Sequence, residues 1–251
     1  MKEVRSLGQK KYRDRYGETI VEGVRAVESA LDAGAAIRDV LVTADLRRDD
    51  RLAPRLDALG DRVHVVDESD IGGVATVESS QGILAVVAVE RLDADRLADC
   101  ERVLALDRLR DPGNAGTLVR SAAWFGVDAI VTGRGTVDLY NPKVVRSAMG
   151  GLWDVAHAEV TDVVDTLRDL QEAGFTVYGA DMSGTAVEAW MPVVPSVLVL
   201  GSEAHGLSDG VERAVVERIV IPGRPRRGAT ESLNVAVAAG ILMHAWTTEQ
   251  R

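Results

Sequence analysis

Cysteine is nearly absent: the 251 residues contain one, Cys100. A lone thiol closes no internal disulfide and builds no thiolate zinc site, which fits a reducing, cytoplasmic setting. Aromatic residues make up only 4% of the chain, so base stacking on a broad aromatic platform is not expected to dominate any nucleic-acid contact. Long hydrophobic runs are missing. The most apolar stretch, Met191–Gly201, is interrupted by Pro192 and Pro195 and falls well short of the ~20 residues a membrane helix needs. The N-terminus is polar and basic with no apolar segment behind it, so no secretory leader is expected. A surplus of positive charge is missing too: 29 Lys and Arg stand against 39 Asp and Glu, for a net charge of −10, which excludes a uniformly basic nucleic-acid binder. GxGxxG, GxxxxGK[ST] and GxSxG are all absent, which removes the common dinucleotide, P-loop and hydrolase signatures. The four histidines (His64, His157, His205, His244) lack metal-ligand spacing, so no metal site is expected.

What is present is a chain able to build a core, with 46% hydrophobic and 27% charged residues. Its charge is uneven. Lys2, Arg5, Lys10, Lys11, Arg13 and Arg15 crowd the first fifteen residues against only Glu3 and Asp14, and the remainder is acidic. The first half, to about residue 89, reads as a small α/β domain. It has an amphipathic helix over Ile20–Leu31, strands at Val40–Thr43, Val63–Val66 and Gly82–Val89, and a helix at Arg51–Leu59. An acidic stretch around residues 90–101 reads as a linker, giving domains at 1–90 and 102–251. The second half alternates. Strands are expected at Val103–Leu106, Ala129–Thr132, Thr176–Ala180, Val197–Leu200 and Arg218–Ile221. Helices are expected at Ala115–Phe125, Pro142–Met149, Asp162–Ala173, Val211–Val216 and Val235–Trp246. That alternation implies a parallel sheet covered on both faces. The last helix, VAVAAGILMHAW, is apolar nearly all round and is expected to be buried by the core or by a partner subunit.

Three segments carry the candidate chemistry. In DRLRDPGNAGTLVRSAAWFG (107–126) a strand ends in a Pro-Gly loop, Asn114 stands at a helix N-cap position, and Arg120 lies inside the helix among Thr117, Leu118, Val119 and Ala122, where it reads as buried. A structural role for Arg120 would be an ion pair with Asp107 or Asp111. In LVLGSEAHGLS (198–208) a strand runs into Gly201, with Glu203 and Gly206 after it; taken alone, this is an ordinary strand-to-helix turn capped by Ser208. In IVIPGRPRRGATESLNVAVAAG (219–240) a strand ends at Ile221-Pro222. A loop bearing Arg224, Arg226 and Arg227 follows, and Ser232 and Asn234 open the last helix; the arginines suit phosphate, and the two polar residues suit capping.

Together, in this order and spacing, the segments resemble the SpoU/TrmH family of RNA 2′-O-ribose methyltransferases in the SPOUT superfamily. The family's first motif, N-x5-R, is matched by Asn114 and Arg120. Its second, GxExxGL, is matched by Gly201, Glu203, Gly206 and Leu207, and its third by Ile221, Pro222, Ser232, Leu233 and Asn234. The N-terminal KKYRDRYGETIVEGVRAVESAL and SSQGILAVV resemble the family's ribosomal-protein-L30e-like substrate-binding domain.

The resemblance implies an α/β protein with a C-terminal trefoil-knotted domain and a homodimer whose active site spans the interface. It implies S-adenosylmethionine held by Ala180, Leu200, Gly201, Ile221 and Leu233, and no metal. It assigns Arg120 to activation of the ribose hydroxyl. A guanidinium rarely gives up its proton, so holding a phosphate or stabilising the oxyanion is an equal role. Asn114, Ser232 and Asn234 would orient the ribose and Arg120, braced by Glu203. The segment between Pro222 and Ser232 is longer and more basic than the family's usual form, so it reads either as an RNA-contacting insertion or as a displacement of the SLN loop. RNA contact is expected from Arg13, Arg15, Arg224, Arg226 and Arg227. The expected substrate is 23S ribosomal RNA, with transfer RNA second. An antibiotic-resistance rRNA methylase, a non-catalytic RNA-binding protein and a small-molecule enzyme are the rival readings.

Overall fold

The computed structural model describes residues 1–74, 80–223 and 232–248; the expected RNA contacts Arg224, Arg226 and Arg227 lie outside them. In chain order the first elements are α1 (Lys2–Ser6), α2 (Lys10–Tyr16), β1 (Glu18–Glu22), α3 (Val24–Asp32), β2 (Ile37–Val42), α4 (Ala44–Arg47), α5 (Ala53–Asp57), β3 (Val63–Val65), α6 (Glu68–Val74) and β4 (Ile83–Ala88). There follow β5 (Arg102–Leu106), α7 (Pro112–Trp124), β6 (Ala129–Thr132), α8 (Pro142–Ala148), β7 (Ala156–Glu159), α9 (Val163–Glu172), β8 (Thr176–Ala186), β9 (Ser196–Leu200), α10 (Asp209–Ala214), β10 (Glu217–Val220) and α11 (Val235–Thr247).

The chain forms two compact units, and the division is not linear. Met1–Glu90 packs with Asp138–Asp154, while Arg91–Val137 packs with Val155–Arg251. In the first unit β1-β4-β2-β3 form a mixed sheet, antiparallel except for the β2–β3 pair. Residues 138–154 are fastened to it by side chains: Thr19 donates to the Tyr140 carbonyl at 2.7 Å, and Arg13 pairs with Asp138 at 2.7 Å. The helix expected over Ile20–Leu31 is two elements. Thr19, Ile20 and Val21 are β-branched and pair with Val87, Val86 and Ala85 of β4. Gly23, at φ 93°, turns the chain into α3. Cross-strand burial outweighs the helical spacing, as it commonly does for β-branched runs.

The second unit holds a six-stranded, wholly parallel sheet in the order β10-β8-β9-β5-β6-β7. β6 and β9 are buried along their whole length, as a sheet covered on both faces requires. Val103, Ala105, Val197 and Val199 face a core shared with Leu167 and Leu170 of α9 and Val211 of α10. The helix α11 packs against α7, and its Trp246 donates from Nε1 to the buried Ser196 hydroxyl at 2.9 Å. From β5 the chain builds outward through β6 and β7, then returns to lay β8, β9 and β10 on the other side. The order therefore reverses between β5 and β9, the position where open parallel sheets form a ligand crevice at their carboxyl ends.

Candidate active site

The loop leaving β5 and the loop leaving β9 flank that reversal. The β5 loop ends in Asp111-Pro112-Gly113. Asp111, not Asn114, is the N-cap of α7: its carboxylate accepts the Asn114 amide at 2.7 Å, and Pro112 fills the first turn, where no amide donor is needed. The Asn114 side chain is therefore free to reach out of the helix.

It meets two partners. Asn114 Nδ2 donates to Glu203 Oε1 at 3.0 Å, and Asn114 Oδ1 accepts from Asn234 Nδ2 at 3.0 Å. Asn234 is itself the N-cap of α11, its Oδ1 accepting from the amides of Ala236 (2.9 Å) and Val237 (3.3 Å). These bonds orient one another. The helix amides demand the oxygen of Asn234, so its nitrogen faces Asn114. Asn114 must then accept from Asn234 and donate to Glu203, which is an acceptor only. The result is a one-directional relay from the start of α11 to an exposed carboxylate.

The β9 loop is held rigidly enough to aim that carboxylate. Ser202 and Gly206 exchange two backbone hydrogen bonds at 2.9 Å. A Cβ on Gly201 would sit 2.2 Å from the Gly206 carbonyl carbon, so only glycine fits. Asp107, 5% exposed, ties both ends of the loop to β5: its amide donates to the Leu200 carbonyl at 2.9 Å, and its Oδ2 accepts the Ser208 amide at 2.6 Å. The sequence reading missed Asp107 in this role and Asp111 as the cap. The Asp-Pro-Gly string is an N-cap signal in its own right. The tie from Asp107 to Ser208, 101 residues away, leaves no local trace.

Asn114, Glu203 and Asn234 are thus brought together, and Arg120 and Ser232 are not. Arg120 is exposed rather than buried, about 9 Å along α7 from Asn114 at 1.5 Å per residue. Among the described residues neither the Arg120 nor the Ser232 side chain makes a hydrogen bond or ion pair, so the structural pairing of Arg120 with Asp107 or Asp111 does not occur. Trp124, 84% exposed, lies one helical turn beyond Arg120, and Val237 and Ile241 of α11 are exposed as well. The last helix is therefore buried on one face only, through Ala236, Ala239, Leu242, Met243 and Trp246.

Of the expected cofactor residues, Ala180, Leu200, Gly201 and Ile221 lie on or just after β8, β9 and β10, and Leu233 precedes α11. Ala180 follows the last β8–β9 pair, Gly179↔Val199. Leu200 closes β9 and is 1% exposed, with its carbonyl accepting from the Asp107 amide. Ile221 follows β10 and is half-buried, whereas Leu233, next to Asn234, is 47% exposed. Apolar side chains beside strand-end backbone fit a nucleoside: apolar surface for the ring, amides and carbonyls for its polar edge. Among the described residues no group of His, Cys, Asp and Glu is arranged to hold a metal ion.

Arg13 requires a correction. It is 3% exposed, with Nε and Nη2 on Asp138 at 2.9 and 2.7 Å and Nη1 on the Leu7 carbonyl at 2.8 Å. No edge of its fork is left for a phosphate. Arg15 is exposed, with its guanidinium 5.5 Å above the Tyr16 ring.

Comparison with known proteins bears on this geometry. Residues 101–244 match the SpoU rRNA Methylase family, and residues 1–85 match an MRM3-like substrate binding domain. The chain is 33% identical over 248 residues to the 23S rRNA (guanosine(2553)-2'-O)-methyltransferase RlmP of Bacillus subtilis (strain 168), covering 97% of this chain and 94% of that protein. A TrmH-family structure from Porphyromonas gingivalis superposes with a TM-score of 0.82 at 34% identity, over 98% of this chain and 95% of the other. An AdoMet-bound rRNA methyltransferase from Sinorhizobium meliloti superposes with a TM-score of 0.83 at 28% identity, over 98% and 92%.

Proposed function

We propose, from the premise that this chain belongs to the SpoU rRNA methylase family, that it methylates a ribose 2′-oxygen of 23S ribosomal RNA with S-adenosylmethionine. The observation that carries the reading is the Asn114–Glu203–Asn234 relay, set at the carboxyl edge of the parallel sheet where its strand order reverses.

Ala180, Leu200, Gly201, Ile221 and Leu233 would hold the cofactor, which supplies an electrophilic methyl group on sulfonium. The chain's own residues do the rest. Glu203, held by Asn114, offers its remaining lone pairs to a ribose hydroxyl. Asn234 locks that geometry to the end of α11, and Ser232 adds a hydroxyl two residues away. A guanidinium is a poor base, so Arg120 stabilises the oxygen as negative charge develops on it, or holds the adjoining phosphate.

Arg120 reaches a ribose through a second copy of the chain. Its side chain has no hydrogen-bond or ion-pair partner among the described residues, exposed Trp124 lies one turn further along α7, and Val237 and Ile241 are exposed on neighbouring α11; this is the apolar surface a dimer would cover. RNA capture falls to the N-terminal unit through exposed Lys11 and Arg15, and to Arg224, Arg226 and Arg227 on charge alone. We place the reaction in the cytoplasm; no helix of the described residues is long and apolar enough to cross a membrane.

Transfer of a labelled methyl group from S-adenosylmethionine to RNA from cells lacking this protein tests the reading. Label in large-subunit rRNA is the expected result. Label in transfer RNA would move the substrate, and cofactor binding with no labelled RNA would leave a binding protein on this scaffold.

A further inference from the structure

The loops following β5 and β6 carry three arginines that the catalytic reading does not use. The two strands are paired neighbours, Leu106 opposite Thr132, so both loops leave the same edge of the sheet. Arg108 adopts φ 58°, a left-handed conformation that a non-glycine side chain takes only at an energetic cost. The turn around it is built to hold it there. The Arg108 amide donates to Thr136 Oγ1 at 3.1 Å, the same hydroxyl donates to the Leu106 carbonyl at 3.0 Å, and the Val137 amide donates to the Leu109 carbonyl at 2.8 Å. The stem of Arg108 lies along Gly135, where an added Cβ would come within 3.2 Å of its Cγ.

The guanidinium is oriented from inside. Its Nε is buried at ion-pair distance, 3.3 Å, from Asp107 Oδ1 without forming a hydrogen bond, and Asp107 Oδ2 in turn anchors Ser208, at the end of the loop that carries Glu203. The side chain as a whole is 43% exposed, so its outer edge faces water. Arg110 and Arg134 are exposed nearby, and among the described residues neither has a hydrogen-bond or ion-pair partner. Glycine or asparagine would hold this turn at lower cost. A strained, oriented fork with a free outer edge, flanked by two unpaired arginines in a chain of net charge −10, is a donor set for a phosphate.

We propose that Arg108, with Arg110 and Arg134, is a phosphate-binding station that grips the RNA backbone beside the nucleotide presented to Asn114 and Glu203. This rests on the reading of RNA as substrate. The test measures binding of Arg108→Gly and Arg134→Ala to large-subunit rRNA from cells lacking the protein, across a salt series, together with KM for RNA and for S-adenosylmethionine. Each variant should weaken rRNA binding about tenfold at low salt and flatten the log–log salt slope by roughly 0.7–0.9. KM for RNA should rise and KM for the cofactor stay the same. Arg108→Gly relieves the left-handed backbone but removes the ion pair to buried Asp107, so its Tm is measured alongside binding. If removing the partner of Asp107 unsettles that variant, Arg134→Ala still decides, because among the described residues Arg134 has no hydrogen bond or ion pair to lose.

Wild-type affinity and slope in both variants would overturn the station. So would a loss confined to cofactor affinity, which would assign the arginines to the cofactor carboxylate. Wild-type protein that binds rRNA normally but transfers no methyl group would count against the catalytic reading alone, and the binding series would still decide this one. Wild-type protein that binds no rRNA would overturn both.

Discussion

Helix α2 of the first unit and helix α7 of the second each carry an arginine central to the functional argument, and the fold treats them oppositely. Arg13 sits in a run of cations at a chain end and reads as an exposed RNA contact. Arg120 sits among Thr117, Leu118, Val119 and Ala122 and reads as buried. The structure buries Arg13 against Asp138 and leaves Arg120 in solvent. The difference lies in the partner. Asp138 is 125 residues from Arg13 and reaches it because the chain returns to the first unit at 138–154, whereas Asp107 and Asp111, the nearby carboxylates for Arg120, are engaged by backbone amides. A cluster of charge in sequence therefore says little about which charge is available.

The contrast yields opposite phenotypes. Arg120→Ala should cut methyl transfer by about 10²-fold or more while leaving cofactor affinity and Tm near wild type, as read by single-turnover assay and calorimetry. A near-full rate would remove Arg120 from the chemistry. Arg13→Ala should do the reverse. It leaves the buried Asp138 carboxylate with the Tyr140 amide as its remaining partner, costs about 3–5 kcal/mol and lowers Tm by roughly 10 °C. At temperatures where the variant is folded, the salt slope of RNA binding should be unchanged. A flatter slope there would return Arg13 to the RNA surface.

Asn234 sharpens the comparison, because it has a structural role and a site role at once. Asn234→Ala should lose a cap, about 1 kcal/mol, and also lose rate by about tenfold or more through a misplaced Asn114. Asn234→Asp keeps a capping oxygen but no amide donor, so Tm should hold while the rate still falls. Equal rates in Asn234→Asp and wild type would reduce the relay to packing.

The smallest effect concerns a carboxylate with a poor partner. Burial raises the Glu18 carboxyl above its usual 4.5, only partly countered by Arg38 at 3.8 Å. A raised carboxyl favours the protonated folded form, so the folded state is penalised above that range and relieved as pH falls through it. Glu18→Gln should therefore raise Tm by about 1 °C at neutral pH, a gain that closes near pH 4. A fall in Tm at neutral pH would mean that the Arg38 pair is stabilising after all.

Much of the second unit was legible. β6 was placed at Ala129–Thr132 from its apolar run alone, because both faces of that strand are buried and no other element suits such a string. Asn114, Glu203 and Asn234 were found as motif residues and do converge. What escaped depends on distance or on competition. The end of β1 reads as helix because Val21, Val24 and Val27 recur at helical spacing, and only the pairing with β4 decides against it. The return of 138–154 to the first unit rests on side-chain bonds such as that of Thr19 to the Tyr140 carbonyl, invisible to local pattern. The left-handed Arg108 was unforeseen because arginine rarely takes that conformation.

The central claim is that this site places a methyl group on a ribose oxygen of ribosomal RNA. The most direct test incubates wild-type protein with isotopically marked S-adenosylmethionine and large-subunit rRNA from cells lacking the protein. The RNA is then digested to nucleosides and the marked group located by mass spectrometry. One nucleoside carrying the mark on its 2′-oxygen is the expected result, with the mark reduced about 10²-fold or more when Arg120→Ala replaces wild type. A mark on a base nitrogen or carbon would contradict it.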